Sequence, residues 1–373
     1  MFSLHIDTAR SWRGGQNQVL LTVNGLRAIG HRAALVAHPN GELRRRAAEG
    51  LELIPLAPRT EMDLSAAWRL SRLLKRTRPD VVHAHDPHGV AMAALALSMG
   101  SGAAASRATM PALVASRRVD FHLKANSFSR WKHRQVDGFI AASEAIRQML
   151  LADGIPPERT VTVHEGIDVD HVAAAPAVNL HEALFLPHGA PIVGNVAALV
   201  PHKGQRYLID AARLVVQHAP DTRFVILGDG ELREHLEKQV HDHRLEKHVL
   251  LPGFRTDVLG CIKAFDLFVM SSVTEGLGTS LLDAMAASRP IVATTAGGIP
   301  EIVEDGVNGL LVPPRDAQAL ADRILRALKD AELRRRFGAA GLARVNERFT
   351  VERMVAATAA AYQRIVGARH SPA

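Results

Sequence analysis

Short apolar runs alternate with longer stretches in which apolar residues recur at helical spacing, and this alternation runs along the chain twice. In the first half the runs at 3–6, 33–37, 81–83, 113–116 and 138–141 are expected as strands. In the second half the runs at 192–196, 224–227, 249–251, 267–270 and 291–293 are expected likewise, with a short one at 310–312. The periodic stretch 15–29 is a helix that ends at Gly30, a residue suited to the position after a helix C-terminus. Strands alternating with helices predict an α/β class with parallel sheets. The segment 165–177 breaks the pattern: Glu165-Gly166-Ile167-Asp168 is followed by Val172-Ala173-Ala174-Ala175-Pro176-Ala177, small residues and proline without a period. Two doubly wound, Rossmann-like domains are therefore expected, at 1–168 and 189–349, joined by a linker at 169–188. The stretch 350–366 is a helix with no strand after it and is expected to pack back on the first domain. Ligands of such sheets bind beyond the carboxyl ends of the strands, so two facing sheets would make a cleft.

Length agrees with two cores, since 373 residues exceed what one ordinary core encloses. Apolar residues make up 47% of the chain but aromatics only 4%, so Ala, Leu and Val must fill both cores. A single cysteine, Cys261, excludes an intramolecular disulfide and a multi-cysteine metal site. The opening Met1-Phe2-Ser3-Leu4-His5 has neither a basic nor a long apolar region, and the uncharged stretch 89–106 is mostly Ala, Gly and Ser. A buried helix with its loop is expected there, and a cytoplasmic protein, extending to the inner membrane surface. Net charge is +7, unevenly shared: residues 1–167 carry +8 and the remainder −1. That asymmetry suits an anionic partner for the first half, either phospholipid or glycolipid, or it reflects an arginine-rich surface. Nucleic acid is set aside, because interleaved exposed aromatics and the known binding motifs are missing.

The densest chemistry lies in Thr274-Glu275-Gly276-Leu277-Gly278-Thr279-Ser280-Leu281-Leu282-Asp283. One carboxylate sits in a glycine-punctuated loop, and a second follows eight positions later, inside a helix. The amides between them suit a phosphate at a helix start, and the carboxylates suit hydroxyls: together, a sugar on a diphosphate. Trp12-Arg13-Gly14-Gly15-Gln16 makes a strand-to-helix turn that lets backbone approach a phosphate or sugar, or is simply a tight turn. Gly228-Asp229-Gly230 lacks the third glycine and the acidic partner of a dinucleotide fingerprint, which disfavours a dehydrogenase. Lys203 in Pro201-His202-Lys203-Gly204 offers a point charge for a diphosphate or is a surface lysine at a helix start, and Phe254-Arg255 sits against a nucleobase or plugs the packing of its loop. His83 and His85 are read as acceptor-side or structural histidines rather than metal ligands, on the expectation that they face opposite ways and lack a third ligand. The basic and aromatic segment 121–134, with Lys124, Arg130, Trp131 and Lys132, is either an interfacial element for anionic lipid or a helix with Phe128 and Trp131 turned inward.

Taken together these motifs resemble family-4 glycosyltransferases of the GT-B fold over nearly the whole chain. The resemblance rests on Gly14-Gly15, Asp80-Val81-Val82-His83-Ala84-His85, Ala141-Ala142-Ser143-Glu144, Glu165-Gly166-Ile167-Asp168, Lys203-Gly204 and Gly228-Asp229-Gly230. It continues through Leu251-Pro252-Gly253-Phe254, Glu275-Gly276 with Asp283, Ala296-Gly297-Gly298-Ile299-Pro300-Glu301 and Asp305-Gly306-Val307-Asn308-Gly309. It implies a nucleotide-diphosphate sugar donor on the second domain and a glycolipid or glycan acceptor on the first. It also implies retention of configuration, no cofactor and no catalytic metal, and a place in lipopolysaccharide or exopolysaccharide assembly. By position it implies Glu275 on the donor sugar, amides of Gly276, Leu277, Gly278 and Thr279 on sugar and phosphate, Asp283 on the ribose, Lys203 on the diphosphate and Gly15 on phosphate. Three departures stand out. The second carboxylate is Asp283 where the family has Glu. Ala198 stands where an arginine usually precedes the lysine. Arg118, in Ala115-Ser116-Arg117-Arg118-Val119-Asp120-Phe121, falls at about the place of a histidine, and its guanidinium is expected to supply the missing charge. A nucleotide-sugar-binding protein without transfer is the alternative these departures leave open.

Overall fold

The computed structural model describes residues 1–47, 50–100 and 110–370. They form two compact units, 1–166 with 351 onward, and 167–350. In unit 1 the elements are β1 (Phe2–Asp7), α1 (Gly14–Ala28), β2 (Arg32–Ala37), α2 (Glu42–Arg46), β3 (Glu52–Pro55), α3 (Leu64–Thr77) and β4 (Val81–Ala84). They continue with α4 (Pro87–Gly100), β5 (Ala112–Arg117), α5 (Ser127–Gln135), β6 (Gly138–Ala141), α6 (Glu144–Ala152) and β7 (Thr160–Thr162). Unit 2 has α7 (Val169–Ala174), α8 (Leu180–Ala183), β8 (Ile192–Val196), α9 (Gln205–His218), β9 (Arg223–Leu227), α10 (Arg233–Asp242) and β10 (Val249–Gly253). It goes on with α11 (Val258–Lys263), β11 (Leu267–Met270), α12 (Thr279–Ala286), β12 (Ile291–Thr294), α13 (Ile299–Ile302), β13 (Leu310–Val312), α14 (Ala317–Lys329) and α15 (Ala331–Arg348). The last helix, α16 (Val351–His370), belongs to unit 1.

Both sheets are parallel and doubly wound. Among the described residues unit 1 orders its strands β3-β2-β1-β4-β5-β6-β7, and unit 2 β10-β9-β8-β11-β12-β13. The order therefore reverses between β1 and β4 in one unit and between β8 and β11 in the other, which opens a crevice at the carboxyl ends of those strands. Central strands are buried along their whole length, as Leu4, Ile6, Val81 and Val82 are in unit 1 and Phe268 and Val269 in unit 2. Every expected strand is present. Two were not expected, β3 and β7, both sheet edges: Glu-Leu-Ile-Pro is half exposed and ends in proline, and Thr160–Thr162 is three residues long.

Residues 169–188 are not a free linker. They form α7 and α8, with Val172, Leu180 and Leu186 buried in unit 2 beside Phe265 and Phe268. Lys263 Nζ donates to the Ala173 carbonyl at 2.8 Å and so ties α7 to α11. The alanine-rich composition hides three well-spaced apolar anchors. In α16, Met354, Val355, Tyr362 and Ile365 pack on Leu26, Val81, Val114 and Ile140 of unit 1. The uncharged stretch begins as α4, whose Val90, Ala91, Met92, Ala93 and Ala94 are buried, and its residues 101–106 lie outside the described residues. Among the described residues no helix is long and apolar enough to cross a membrane.

Candidate active site

In unit 2 the loop after β8 delivers Lys203 and the loop after β11 delivers Glu275, at the point where strand order reverses. Lys203 Nζ donates to Glu275 Oε2 at 2.6 Å, and Ser272 Oγ donates to the same oxygen at 2.9 Å. Glu275 is 8% exposed. The two side chains assigned to different parts of a donor thus pair with each other here. The loop can lie this close to the exit of β12 only because position 297 is glycine. Gly297 has φ +50, and a Cβ on it would stand 1.8 Å from the Glu275 carbonyl oxygen. Gly228 meets a similar demand: its φ is +139 and a Cβ would stand 1.9 Å from the Ala197 carbonyl.

α12 starts from Gly278, which supplies no side-chain cap, and the Glu275 side chain lies beside that start, with its Cγ 3.5 Å from where a Cβ on Gly278 would stand. Gly276 and Leu277 are buried, Leu277 as part of the core, and Thr279 is half-buried. Asp283 lies one turn into the helix. Burial pushes its carboxyl up to about 7. No cation opposes that shift, and among the described residues no donor bonds the side chain. Asp283 is half-buried, so a carboxylate left without a donor here is open to an external donor of hydrogen bonds. Phe254 is 59% exposed. Arg255 turns onto Asp257, with Nε donating to Oδ1 at 2.8 Å. Ala198 brings no charge to its place after β8, and its carbonyl accepts from Gln205 Nε2 at 2.9 Å.

In unit 1 the carboxyl edge of β1, β4 and β5 holds a cluster of three buried histidines. Parallel pairing of β1 with β4 sets His5 against His83. His83 and His85, two apart on one strand, share a face because side chains alternate along a strand, and their rings lie 4.0 Å apart. The expectation that they face opposite ways is thus corrected, and His5 is the third member it missed. His5 Nδ1 lies 2.9 Å from His85 Nε2, and His5 Nε2 lies 3.0 Å from Ser3 Oγ. His83 Nδ1 lies 2.6 Å from the Tyr362 hydroxyl of α16, and its Nε2 lies 2.8 Å from Ser116 Oγ. His85 Nδ1 accepts from Arg118 Nη1 at 3.0 Å. Each ring nitrogen of the trio therefore has a hydrogen-bond partner, and a guanidinium sits against one of them. These residues fit a hydrogen-bonded chain better than a cation site, although their ligand atoms lie within 4.8 Å of one another. Burial, reinforced by Arg118, holds His5 at about 3, and His83 and His85 are lowered well below the ordinary value by burial first.

Arg118 Nε also lies 2.9 Å from Glu165 Oε1 in an ion pair, so its charge is partly answered inside unit 1. It lies near the start of α1: a Cβ on Gly15 would meet Arg118 Cδ at 3.9 Å. Gly14 opens that helix, and Gln16 Oε1 accepts from the Arg13 amide at 3.1 Å. Three of the residues expected to face acceptor or membrane are placed otherwise. His85 is in the buried chain. Lys132 is 4% exposed and paired with Glu61 at 2.7 Å, so it braces α5 rather than meeting a surface. Trp131 stacks on Phe128 and packs against the core. Lys124 and Arg130 are exposed. His5, Ser116 and Tyr362 had no assigned role. Only the pairing of β1 with β4 and the return of α16 bring them to His83.

The chain matches two family descriptions, glycosyltransferase family 4 over residues 12–171 and glycosyl transferases group 1 over residues 178–344. EpsD of Bacillus subtilis, named as a glycosyltransferase, is 30% identical over 316 residues, covering 80% of this chain and 81% of EpsD. The chain belongs to the family-4 glycosyltransferases of the GT-B fold. The poly(ribitol-phosphate) alpha-N-acetylglucosaminyltransferase of Staphylococcus aureus is 32% identical over 47% of this chain, which spans 36% of that enzyme's length. The UDP-Gal:alpha-D-GlcNAc-diphosphoundecaprenol alpha-1,3-galactosyltransferase of Escherichia coli is 25% identical, with 73% and 72% covered. Among solved structures, HepE of Anabaena in complex with UDP and glucose has a TM-score of 0.83 at 22% identity, covering 97% of this chain and 99% of HepE.

Proposed function

We propose that this chain moves a sugar from a nucleotide diphosphate to a hydroxyl of a glycolipid or growing glycan, with retention of configuration and without a catalytic metal. The observation that carries the reading is the edge of unit 2 where Lys203 pairs with Glu275 beside the start of α12, with Asp283 one turn along that helix. Glu275 would hold sugar hydroxyls, Lys203 and the amides from Gly276 to Thr279 the diphosphate, and Asp283 the ribose, with Gly228, Phe254 and Arg255 toward the base. A fixed cation and aligned amides stabilise a nucleoside diphosphate as it departs with the bonding electrons. On unit 1, Gly14, Gly15 and Arg118 would meet an anionic group of a substrate. The Escherichia coli relative's name, with a sugar on diphosphoundecaprenol, supports a glycolipid acceptor.

A thermal-shift panel of nucleotide sugars, followed by measurement of nucleotide release and transfer, tests the proposal. A ligand that binds the native state raises the melting temperature. No shift with any donor and no release would sink it. Binding without release would favour the second reading, nucleotide-sugar binding without transfer, which draws on the missing cation at Ala198.

Asp283 makes the donor step pH-sensitive. The carboxylate form accepts from a diol, and the free group is held near 7. Donor affinity is therefore expected to fall about tenfold per pH unit below 7, because binding must expel a proton. Calorimetry with a nucleoside diphosphate at pH 6 and 8 reads this, and Asp283→Asn should bind weakly with no pH slope.

The membrane contact of this reading rests on α3 rather than α5. Met62, Leu64 and Trp68 are each more than half exposed. α3 carries Arg69, Arg72, Lys75 and Arg76 with no acidic residue, and the Arg72 guanidinium lies 5.0 Å from the Trp68 ring. Of the acidic neighbours, Glu61 is paired with Lys132 and Asp63 caps α3, so the apolar side chains and the cations of α3 are what an anionic phospholipid would meet. Wild-type protein should float with vesicles containing phosphatidylglycerol and not with phosphatidylcholine alone. Trp68→Ser with Arg72→Glu should abolish flotation, and flotation unchanged by that pair would refute the surface.

A further inference from the structure

Arg118 is held at two of its three nitrogens: Nε by Glu165 and Nη1 by His85. Among the described residues Nη2 donates no hydrogen bond. The side chain is 17% exposed, so the open nitrogen is presented from an otherwise enclosed group. An arginine can only donate. Its bond therefore requires Nδ1 of His85 to be unprotonated, which puts the proton of neutral His85 on Nε2. That proton points at His5 Nδ1, 2.9 Å away, and so fixes the proton of neutral His5 on Nε2, which donates to Ser3 Oγ at 3.0 Å. One guanidinium thus sets the tautomers of two histidines, and the two histidines in return set the direction of the guanidinium. Ser116 and the His83–Tyr362 pair close the other side of the same seat, with Ser116 Oγ 3.2 Å from His85 Nδ1. Glu165 already answers part of the arginine's charge; a neutral imidazole directs the guanidinium without answering more of it.

We propose that His85, backed by His5, is a positioning residue that orients Arg118 so that Nη2 is offered to an anionic oxygen of the substrate at the start of α1. The inference rests on the reading of the chain as a nucleotide-sugar transferase. No substrate contact is assigned to His85 or His5; they act through Arg118.

A double-mutant cycle decides between positioning and a merely structural role. Single variants His85→Ala and Arg118→Ala should each raise donor KM or lower kcat by roughly tenfold to a hundredfold, the worth of one hydrogen bond to a charged group. The double variant should be no worse than Arg118→Ala alone, since His85 has nothing left to orient. His85→Asn, whose Oδ1 can stand in for the Nδ1 acceptor, should restore most of the loss. Losses that multiply in the double variant, or an Asn variant as poor as Ala, would overturn the proposal. A second readout needs no activity. Phenylglyoxal labelling of Arg118, followed by peptide mass mapping, should speed up in His85→Ala and not in His85→Asn. An unchanged labelling rate in a folded His85→Ala would also overturn it, whereas a wild type without transfer but with this labelling pattern would fail only the functional reading. Stabilisation of wild type by zinc that is lost in His83→Ala would instead assign the trio to a metal and overturn the seat.

Discussion

Lys203→Met is expected to cut transfer by at least about a hundredfold and to destabilise unit 2 by about 3 kcal/mol, because it strands a carboxylate that is almost fully enclosed. Glu275 has two side-chain donors, Lys203 and Ser272, and is 8% exposed. With the ammonium gone, one hydroxyl must answer the whole charge. Glu275→Gln should cost less stability, since the Lys203 side chain is 20% exposed and can turn to water. The double variant, with neither charge, should recover most of the stability lost in Lys203→Met. All three variants should lose transfer by about a hundredfold to a thousandfold, the range seen when one preorganised electrostatic group is removed. Urea unfolding beside initial rates checks both halves. Additive stability losses in the double variant would show that the pair is not coupled, and retained transfer in Lys203→Met would remove the lysine from the reaction.

Acid should undo unit 1 before unit 2. His5, His83 and His85 are buried and held neutral, His5 with a value of about 3, by burial and by Arg118. In the unfolded chain each titrates near 6.5. Above that pH neither state binds their protons, and the stability they permit is fully present. Below it the unfolded chain takes up three protons that the folded one refuses, so stability falls as pH falls, down toward 3. The slope is about 4 kcal/mol per pH unit for three groups, or roughly 10 °C in Tm. His133, lowered to about 4 by burial, adds in the same direction within unit 1, while Asp7, raised by burial and by Asp86, opposes it. In unit 2, Asp283 works the other way, because its folded carboxyl keeps a proton that the unfolded one releases. Calorimetry from pH 7.5 to 5.5, with limited proteolysis to assign the first transition, should show the loss in unit 1. His5→Gln should remove about a third of the slope. A flat Tm over that interval would show that the trio is not buried and neutral.

Much of this site was legible in one dimension. Glu275, Gly278 and Asp283 stand within nine consecutive positions, and a loop followed by a helix is a local arrangement, so spacing and residue type suffice to bring carboxylates and amides together. Lys203 was legible for the same reason, at the turn after a recognisable strand. Its pairing with Glu275 was not, because 72 residues separate them and only the adjacency of β8 and β11 joins their loops. The basic segment 121–134 divides between its two readings. Phe128 stacks on Trp131, which packs against the core, and Lys132 turns inward to Glu61, a partner 71 positions away, while Phe121, Lys124 and Arg130 stay exposed.

The amino-acid order by itself determined the two α/β repeats, since apolar runs and helical periods are local properties, and it grouped Glu275, Gly278 and Asp283, which share one loop and the helix after it. What only the tertiary structure decided is the seat of Arg118. Ser3 and His5 come from β1, His83 from β4, His85 and Ser116 from the ends of β4 and β5, Glu165 from beyond β7, and Tyr362 from a helix that closes the unit from the far end of the chain. Parallel strands bring their partners from across long crossovers, so a cluster built on their carboxyl ends has no signature in spacing. Its chemistry exists only once the sheet has folded.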